Sequence, residues 1–308
     1  MFMKCRLLLP ALLLFLQQGF AQSDSVNFVQ AHWTLRKIAR GVTLRQCWFD
    51  HALFGSNQNI NILEIKMAGK NRLDVEADSS KLQPTSAFGT AHKALAAING
   101  TFFDMKNGGS VDYIRLDGHS LNGTRLGKNN DRIFHQKAAV VITGKKVHIE
   151  KWNGAQDWEN TISGDDMMVT GPLLIDNYQR VTLDTLSFYT ARHPRSALAL
   201  RGNKVLLITV DGRNKRAAGM TLAELADIIK WLKADEGINL DGGGSTTLWI
   251  DHFPEGGVIN YPSDNKKMEK SAAFKPGTDL DKLAADEQKW DHSGQRPVAN
   301  VLLVNKKK

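Results

Sequence analysis

The stretch VLLITVDGRNKRAAGMTLAELADIIKWLKADEGINLDGGGSTTLWI, residues 205–250, carries the strongest structural signals in the chain. Its first six residues, 205–210, are mostly apolar and β-branched, which is typical of a buried strand. A helix is predicted to begin at Thr221, because Thr221 and Glu224 have the spacing of a capping box and an apolar stripe follows at helical period. The helix is expected to end near Gly237. A glycine-rich loop between two short apolar strands closes the stretch.

Strands dominate the rest of the chain as well. The predicted strands cover residues 33–38, 42–49, 59–66, 111–116, 138–143, 147–151, 196–200, 238–240, 248–250 and 298–304. Residues 167–175 are apolar but interrupted by Gly171-Pro172, a short second helix is predicted over 85–93, and Asp117-Gly118 fits a two-residue hairpin turn. With no internal repeat or linker, these elements predict one α+β domain. It should have a mainly β-sheet core, a few helices, and strand-end loops forming one active-site cleft.

The composition is that of a globular protein. Of 308 residues, 42% are hydrophobic and 23% are charged, which excludes a disordered, collagen-like or coiled-coil chain. Two cysteines exclude a disulfide-stapled scaffold, and Cys47 is interpreted as a small core residue, not a nucleophile. The net charge of +8 includes Lys306 to Lys308 and two basic residues near the N-terminus. Much of the positive charge therefore lies at the two ends of the chain, and no single element clusters basic residues as a nucleic-acid-binding site would.

The N-terminus has the pattern of a secretory signal peptide. Lys4 and Arg6 precede an apolar run, 7–16, and small residues lead to an expected cleavage site after Ala21. The run is about half as long as the roughly 20 residues that span a bilayer, and no later segment is long and apolar enough for a membrane span. We expect residues 1–21 to be removed and residues 22–308 to be periplasmic or secreted.

Four segments combine a strand end, a residue with special backbone freedom and a reactive side chain. They are residues 98–104, 192–196, 210–213 and 240–246. Loops carried at the ends of rigid strands are favoured places for ligand binding. The four segments are therefore expected to converge on one site.

The glycine run at 242–244 has two interpretations. Together with Ser245 and Thr246 it could turn several backbone N–H groups toward one point and form an anion cradle, or it could be a tight turn between two strands. It is no nucleotide-binding P-loop, because no lysine follows and a strand comes next. Ser245 is disfavoured as a nucleophile, since no Gly-x-Ser-x-Gly elbow surrounds it.

Charged residues at the strand ends are the other candidates. Arg195 and Arg213 carry guanidinium forks that suit phosphate or carboxylate, although each arginine also fits an ordinary surface position. Asp211 and Asp241 follow nearly continuous apolar strands, as expected where a buried sheet delivers a side chain to a cleft. Asp241 is the stronger candidate for catalysis, because Asp211 also fits a turn. His193 suits a packed position as well as an acid–base role.

Metal binding has weak support in the sequence. The nine histidines show no zinc-binding spacing and paired cysteines are absent, so zinc is not expected. A divalent cation held by Asp104, Asp211 or Asp241 is compatible with the sequence. No cofactor is required by it.

The reactive segments, in this order, resemble the phosphodiester glycosidase family, whose bacterial members include exopolysaccharide-biosynthesis proteins. The matching segments are residues 98–103, 170–174, 193–197, 210–213 and 239–246, with 219–221 before the long helix and 296–300 near the end. The resemblance covers about residues 95–304, and its most specific motif is the glycine-rich one. No counterpart in the family is identified for residues 251–295, which are expected to form a long polar excursion.

The resemblance implies hydrolysis of a sugar-1-phosphodiester, such as an N-acetylglucosamine-α-1-phosphate ester, between the anomeric carbon and the phosphate oxygen. It implies that Asp241 or Asp211 activates water as a general base and that Asn99 orients water or substrate. The implied phosphate site is preorganised for charge on the departing group; it consists of Arg195, Arg213, Gly100, Gly242, Gly243, Gly244, Ser245 and Thr246. The alternative is a non-catalytic module that binds phosphorylated glycans or exopolysaccharide with the same residues.

Overall fold

A computed structural model describes residues 23–265 and 289–306. The predicted signal peptide, residues 1–21, lies outside the described residues, as does the part of the polar excursion from 266 to 288. Within the described ranges, no helix has both the length and the apolar character that crossing a bilayer requires.

The described residues form seventeen strands and five α-helices. The strands are β1 Thr34–Ala39, β2 Val42–Leu53, β3 Ser56–Lys66, β4 Asn71–Ala77, β5 Ala96–Asn99, β6 Ile114–Leu116, β7 His119–Asn122, β8 Ala138–Thr143, β9 Lys146–Lys151, β10 Asp166–Thr170, β11 Leu173–Asp176, β12 Gln179–Arg180, β13 Arg195–Arg201, β14 Lys204–Val210, β15 Glu236–Asn239, β16 Leu248–Ile250 and β17 Asn300–Lys306. The helices are α1 Asp24–Val29, α2 Thr85–Ala91, α3 Trp158–Thr161, α4 Ser187–Thr190 and α5 Leu222–Trp231.

Three antiparallel sheets organise these strands. The largest has eight strands in the order β1-β2-β3-β14-β13-β15-β11-β12, the second has the order β7-β6-β10-β8-β9, and the third β16-β5-β17-β4. The largest apolar cluster takes buried side chains from all three sheets, including Leu63, Ile98 and Val140. The prediction of an α+β fold with a mainly β-sheet core is confirmed.

The long helix begins where its sequence signals place it, but it ends at Trp231 and not near Gly237, which lies in β15. The Thr221 side chain accepts a hydrogen bond from the Glu224 amide, and the Glu224 carboxylate accepts one from the Thr221 amide at 2.9 Å. This capping box satisfies N–H groups that would otherwise lack partners at the helix start. Leu222, Leu225 and Ile228 are buried on one face of α5 and belong to the second-largest apolar cluster. Cys47, predicted to be a core residue, is only partly buried and packs against the edge of that cluster.

The hairpin between β6 and β7 is also confirmed. Asp117 and Gly118 have φ angles of +48° and +80°, and Leu116 pairs with His119 across the turn. Positive φ at both central residues is the geometry of the tight hairpin turn that Asp-Gly favours.

Strand β4 was not predicted, because its polar residues obscure a half-buried alternation. Leu73 and Val75 are buried, while the intervening Asp74 is only partly buried. The strand pairs with β17 along its whole length. The apolar run 167–175 divides into β10 and β11 at a cis peptide bond between Gly171 and Pro172.

The register of the large sheet collects several strand termini at one edge. Arg195 pairs with Val210, which pairs with Ile60, and Asn239 ends β15 two rungs away opposite Ala197. The Ser196 hydroxyl donates to Asn99 at the end of β5, so the small sheet meets the large one here. We call this edge the site end.

Candidate active site

The glycine run forms a tight 3₁₀ turn over Gly243–Ser245. Four of its backbone amides already donate within the protein: Gly242 to the Asp241 carboxylate, Gly243 to the Pro194 carbonyl, Ser245 to the Gly242 carbonyl and Thr246 to the Gly243 carbonyl. These amides are not free to bind an anion. Of the two interpretations of this run, the structure has the tight turn and not the open amide cradle.

The glycines instead let charged side chains approach the backbone. Gly243 has a φ of +61°, and a Cβ there would lie 3.1 Å from a terminal nitrogen of Arg213. A Cβ at Gly244 would lie 2.2 Å from the side chains of both Arg296 and Asp264, which form a 2.7 Å ion pair. The absence of side chains at Gly243 and Gly244 therefore lets the guanidinium groups of Arg213 and Arg296 contact the backbone of the turn.

Asn99 is a junction between the strand ends. Its amide nitrogen donates to the Asp241 carbonyl at 2.7 Å, and its oxygen accepts from the Ser196 hydroxyl at 2.7 Å and the Thr247 amide at 3.1 Å. The side chain is fully buried. These contacts support a positioning role for Asn99 in place of the direct contact with water or substrate that was expected.

Asp241 lies where the first and last reactive segments meet. Its amide donates to the Gly100 carbonyl at 2.9 Å, and the residue keeps partial exposure. Burial raises the pKa of its carboxyl above the ordinary value, whereas the Ser245 hydroxyl, the Gly242 amide and the nearby positive charge of Arg296 oppose that rise. A carboxyl with a raised pKa, on a residue that keeps partial exposure at the site end, suits proton transfer.

Asp211 is enclosed, in contrast to Asp241. It has no exposed surface, and its two oxygens accept from the Asn59 side chain at 2.7 Å, the Asn260 side chain at 3.1 Å and the Tyr261 amide at 2.9 Å. Burial raises its pKa to about 7, despite those three hydrogen bonds. The carboxylate thus connects the end of β14 with Asn260 and Tyr261, which follow the glycine turn in the sequence. This geometry favours a structural role over that of general base.

Arg195 is a buried cation with no carboxylate in contact among the described residues. It is 2% exposed, and it donates to the backbone carbonyls of Met220, Phe188 and Ala191 at 2.8–2.9 Å. Burial, and secondarily the charge of Arg213, lowers its pKa to about 10. Because a buried charge is costly without a counter-ion, this guanidinium favours an anion nearby.

Arg213 has the less occupied guanidinium of the two. Its closest polar partner is His193 Nδ1, at 3.4 Å, and it forms no ion pair within the part of the chain that the structure describes. Burial and the charge of Arg296 lower its pKa. Burial lowers the pKa of His193 too, assisted by Arg213 and Arg195. Arg213 is close enough to Arg195 to lower its pKa, and two like charges held this close together favour the binding of an anion.

A histidine–carboxylate pair at the same site was missed in the sequence. His135 Nδ1 lies 2.8 Å from the buried Asp112 carboxylate, which also accepts from Thr101 and Gln136. The imidazole stacks on Phe102 with centroids 4.1 Å apart, and it is close enough to Asp241 to be one of the groups that oppose the rise of the Asp241 pKa caused by burial. The only sequence signal was an acidic residue inside an apolar run, 23 positions before the histidine.

Residues 92–275, more than half of the chain, match the family model for phosphodiester glycosidases. The chain belongs to the phosphodiester glycosidase family. The resemblance seen in the reactive segments is thereby confirmed. The chain is similar to the mouse N-acetylglucosamine-1-phosphodiester alpha-N-acetylglucosaminidase, to which it is 26% identical over 208 residues, covering 60% of this chain and 39% of the mouse protein. The human enzyme of that name is 25% identical over 178 residues, covering 55% and 33%. The chain thus spans about two fifths of the length of the mouse protein and about one third of that of the human protein.

Solved structures show the same fold. The zebrafish N-acetylglucosamine-1-phosphodiester alpha-N-acetylglucosaminidase catalytic domain, auto-inhibited by its pro-peptide, is 18% identical with a TM-score of 0.61, covering 90% of this chain and 88% of that one. A hypothetical protein from Synechocystis is 16% identical with a TM-score of 0.61, covering 90% and 64%. The chain therefore has the fold of the zebrafish domain.

Asp104, one of the three aspartates named as alternative cation ligands, already has other partners. Asp104 binds Arg125 at 2.7 Å and accepts from the amides of Lys106 and Asn107, which hold its pKa well below the ordinary value. Across residues 23–265 and 289–306, no three His, Cys, Asp or Glu side chains are grouped to hold a metal ion. Asp104 thus closes a surface turn.

Proposed function

We propose that this chain hydrolyses a sugar-1-phosphodiester, such as an N-acetylglucosamine-α-1-phosphate ester, between the anomeric carbon and the phosphate oxygen. The observation that carries the proposal is the convergence of Arg195 and Arg213, neither with a carboxylate in contact among the described residues, with Asp241 and His135 at one end of the strands. Family membership and the names of the curated relatives support the reaction class.

The phosphate side of the reaction is assigned to Arg213 and Arg195. Cleavage of the bond at the anomeric carbon turns a singly charged diester into a phosphate monoester, whose second pKa is about 6. Negative charge therefore grows on the departing group. The Arg213 fork, resting on Gly243, would meet that charge without reorganising. Arg195, whose carbonyl contacts fix it, would supply a second positive charge behind it.

The sugar side is assigned to Asp241. A water oxygen bonds to the anomeric carbon as the bond from that carbon to the phosphate oxygen breaks, and the bonding electrons leave with the phosphate. The Asp241 carboxylate takes the water proton, a step worth about 10²–10⁴-fold. The products are the free sugar and a phosphate monoester. Because burial raises the Asp241 pKa, the residue holds the proton better than an exposed carboxylate would.

His135 is assigned to the departing oxygen. With Nδ1 bound to the Asp112 carboxylate, a protonated imidazole would present Nε2–H as a hydrogen-bond donor. The Asp112 carboxylate fixes the ring orientation, and the stacking on Phe102 restricts its rotation. We also propose that the mature chain acts outside the cytoplasm, which rests on the signal-peptide pattern at residues 1–21.

The test is turnover of defined diesters. UDP-N-acetylglucosamine and a sugar-α-1-phosphate aryl ester are incubated with the wild type, with Asp241→Asn and with Asp176→Asn, a carboxylate at the end of β11. We expect free sugar from at least one ester with the wild type and Asp176→Asn, and a loss of at least about 10²-fold with Asp241→Asn, with unchanged thermal unfolding. Binding of the esters without release of sugar by the wild type would favour the glycan-binding module.

A further inference from the structure

A second charged feature lies at the strand ends opposite the site end. In β3 the chain runs from Asn59, which binds Asp211, to Lys66, and Lys66 pairs with Lys204 at the start of β14. In β17 it runs from Asn300 to Lys306. At about 3.3 Å per residue these strands separate the two ends by roughly 20 Å.

A concave cleft at this far end is lined by basic side chains. Its volume is about 450 Å³, and its lining is Arg40, Gly41, Lys66, Ala68, Gly69, Lys70, Asn71 and Lys306. The lining holds four cationic residues and no carboxylate. Lys145 adds a fifth charge at its margin, because its ammonium donates to the Gly69 carbonyl at 2.7 Å. These five cationic residues define the basic cleft.

The charges of the basic cleft are not neutralised locally. None of the five forms an ion pair with a carboxylate in the described part of the chain. The nearest acidic side chain of β3, Glu64, is already shared by Arg201 and Lys204. Lys307 and Lys308 follow Lys306 in the sequence. Like charges held around a concavity raise the local concentration of anions.

We propose that the basic cleft binds a linear polyanion of the sugar-phosphate or polyol-phosphate type. Ala68 is the one apolar residue of the lining, whereas surface insertion into a bilayer uses large apolar side chains. The lining has no aromatic ring on which a nucleic-acid base could stack. Exposed basic side chains that border a concavity suit successive phosphates of a flexible chain. This binding is independent of the proposed hydrolysis.

The experiment measures binding of fluorescent poly(glycerol phosphate) to the full chain at about 50 and 200 mM salt. The cleft variant is Lys66→Glu/Lys70→Glu/Lys306→Glu. The control variant is Lys93→Glu/Lys128→Glu/Lys230→Glu, which changes the net charge equally at exposed lysines elsewhere. Anionic phosphatidylglycerol vesicles and duplex DNA serve as competitors. Hydrolysis of a small sugar-phosphodiester is measured in parallel.

The cleft variant is expected to bind the polymer at least about tenfold more weakly than the wild type, and wild-type affinity should fall by a similar factor at the higher salt. The control variant should keep affinity within about threefold, and both should hydrolyse the small diester like the wild type. Equal losses in both variants would reduce the effect to net charge and overturn the proposal. So would full affinity of the cleft variant, or tighter binding of vesicles or DNA than of the polymer.

Discussion

Replacing Arg213 by glutamine tests the electrostatic part of the mechanism. Arg213 lies 3.1 Å from the Cβ position of Gly243 and forms no ion pair with the described residues, so little of its charge is used in holding the fold. Glutamine keeps a polar side chain of intermediate length and removes the charge. The variant should therefore fold normally while losing stabilisation of the departing phosphate.

The magnitude follows from the charge that develops. Two unit charges about 4 Å apart interact by about 4 kcal/mol at an effective dielectric constant near 20. If about half a unit of new charge has reached the phosphate in the transition state, Arg213→Gln loses about 2 kcal/mol. That corresponds to about thirtyfold in kcat/KM. Arg213→Lys should lose less, because it keeps the charge and loses only the fork.

The assay is steady-state release of sugar from the small diester that the wild type cleaves, with Arg180→Gln as a surface control whose ion pair to Asp227 is partly exposed. A second readout needs no substrate. Because Arg213 lowers the pKa of His193, its removal should raise that pKa in an NMR titration. A kcat/KM within about threefold of wild type, with unchanged inhibition by phosphate monoester, would refute the assignment of Arg213.

Three further outcomes are expected. Burial raises the Asp211 pKa from 3.8 to about 7, so the contribution of this group to the free energy of unfolding is complete below about pH 4 and is lost as pH rises toward 7. Asp211→Asn should remove that part of the pH dependence in chemical denaturation, and an identical dependence of the unfolding free energy on pH in both proteins would contradict the prediction. Gly89→Ala places a Cβ 2.3 Å from the Trp249 ring, so it should lower unfolding free energy by about 1–3 kcal/mol, whereas an unchanged melting temperature would show that the ring gives way. Asp112→Asn removes the carboxylate that lies 2.8 Å from His135 Nδ1, so it should lower kcat for the small diester by at least about tenfold; an unchanged kcat in a normally folded variant would exclude His135 from the reaction.

Features with local signals were predictable from the sequence. The α5 helix begins at a capping box whose two partners are three residues apart, and the β6–β7 turn needs only Asp117 and Gly118. In each case the residues that determine the structure are neighbours in the chain. Grouping the strand-end segments also succeeded, because antiparallel pairing places Arg195 opposite Val210.

Features that depend on distant partners were not predictable. Glycine spacing indicates conformational freedom but not which carbonyl an amide will bind, and the Gly243 amide donates to the carbonyl of Pro194, the distant residue that precedes β13. Asp211 and Asp241 have similar sequence contexts, yet Asn59 and Asn260 enclose the first only. The two aspartates differ in surroundings that no spacing rule encodes.

The most direct test of the account is hydrolysis of the cleaved diester in H₂¹⁸O, with mass analysis of the phosphate monoester product. Attack of water at the anomeric carbon, with Asp241 as base and Arg213 holding the phosphate, leaves every phosphate oxygen in place. The phosphate monoester is therefore predicted to contain no ¹⁸O. Incorporation of one ¹⁸O into the phosphate would mean attack at phosphorus and would contradict the proposed reaction.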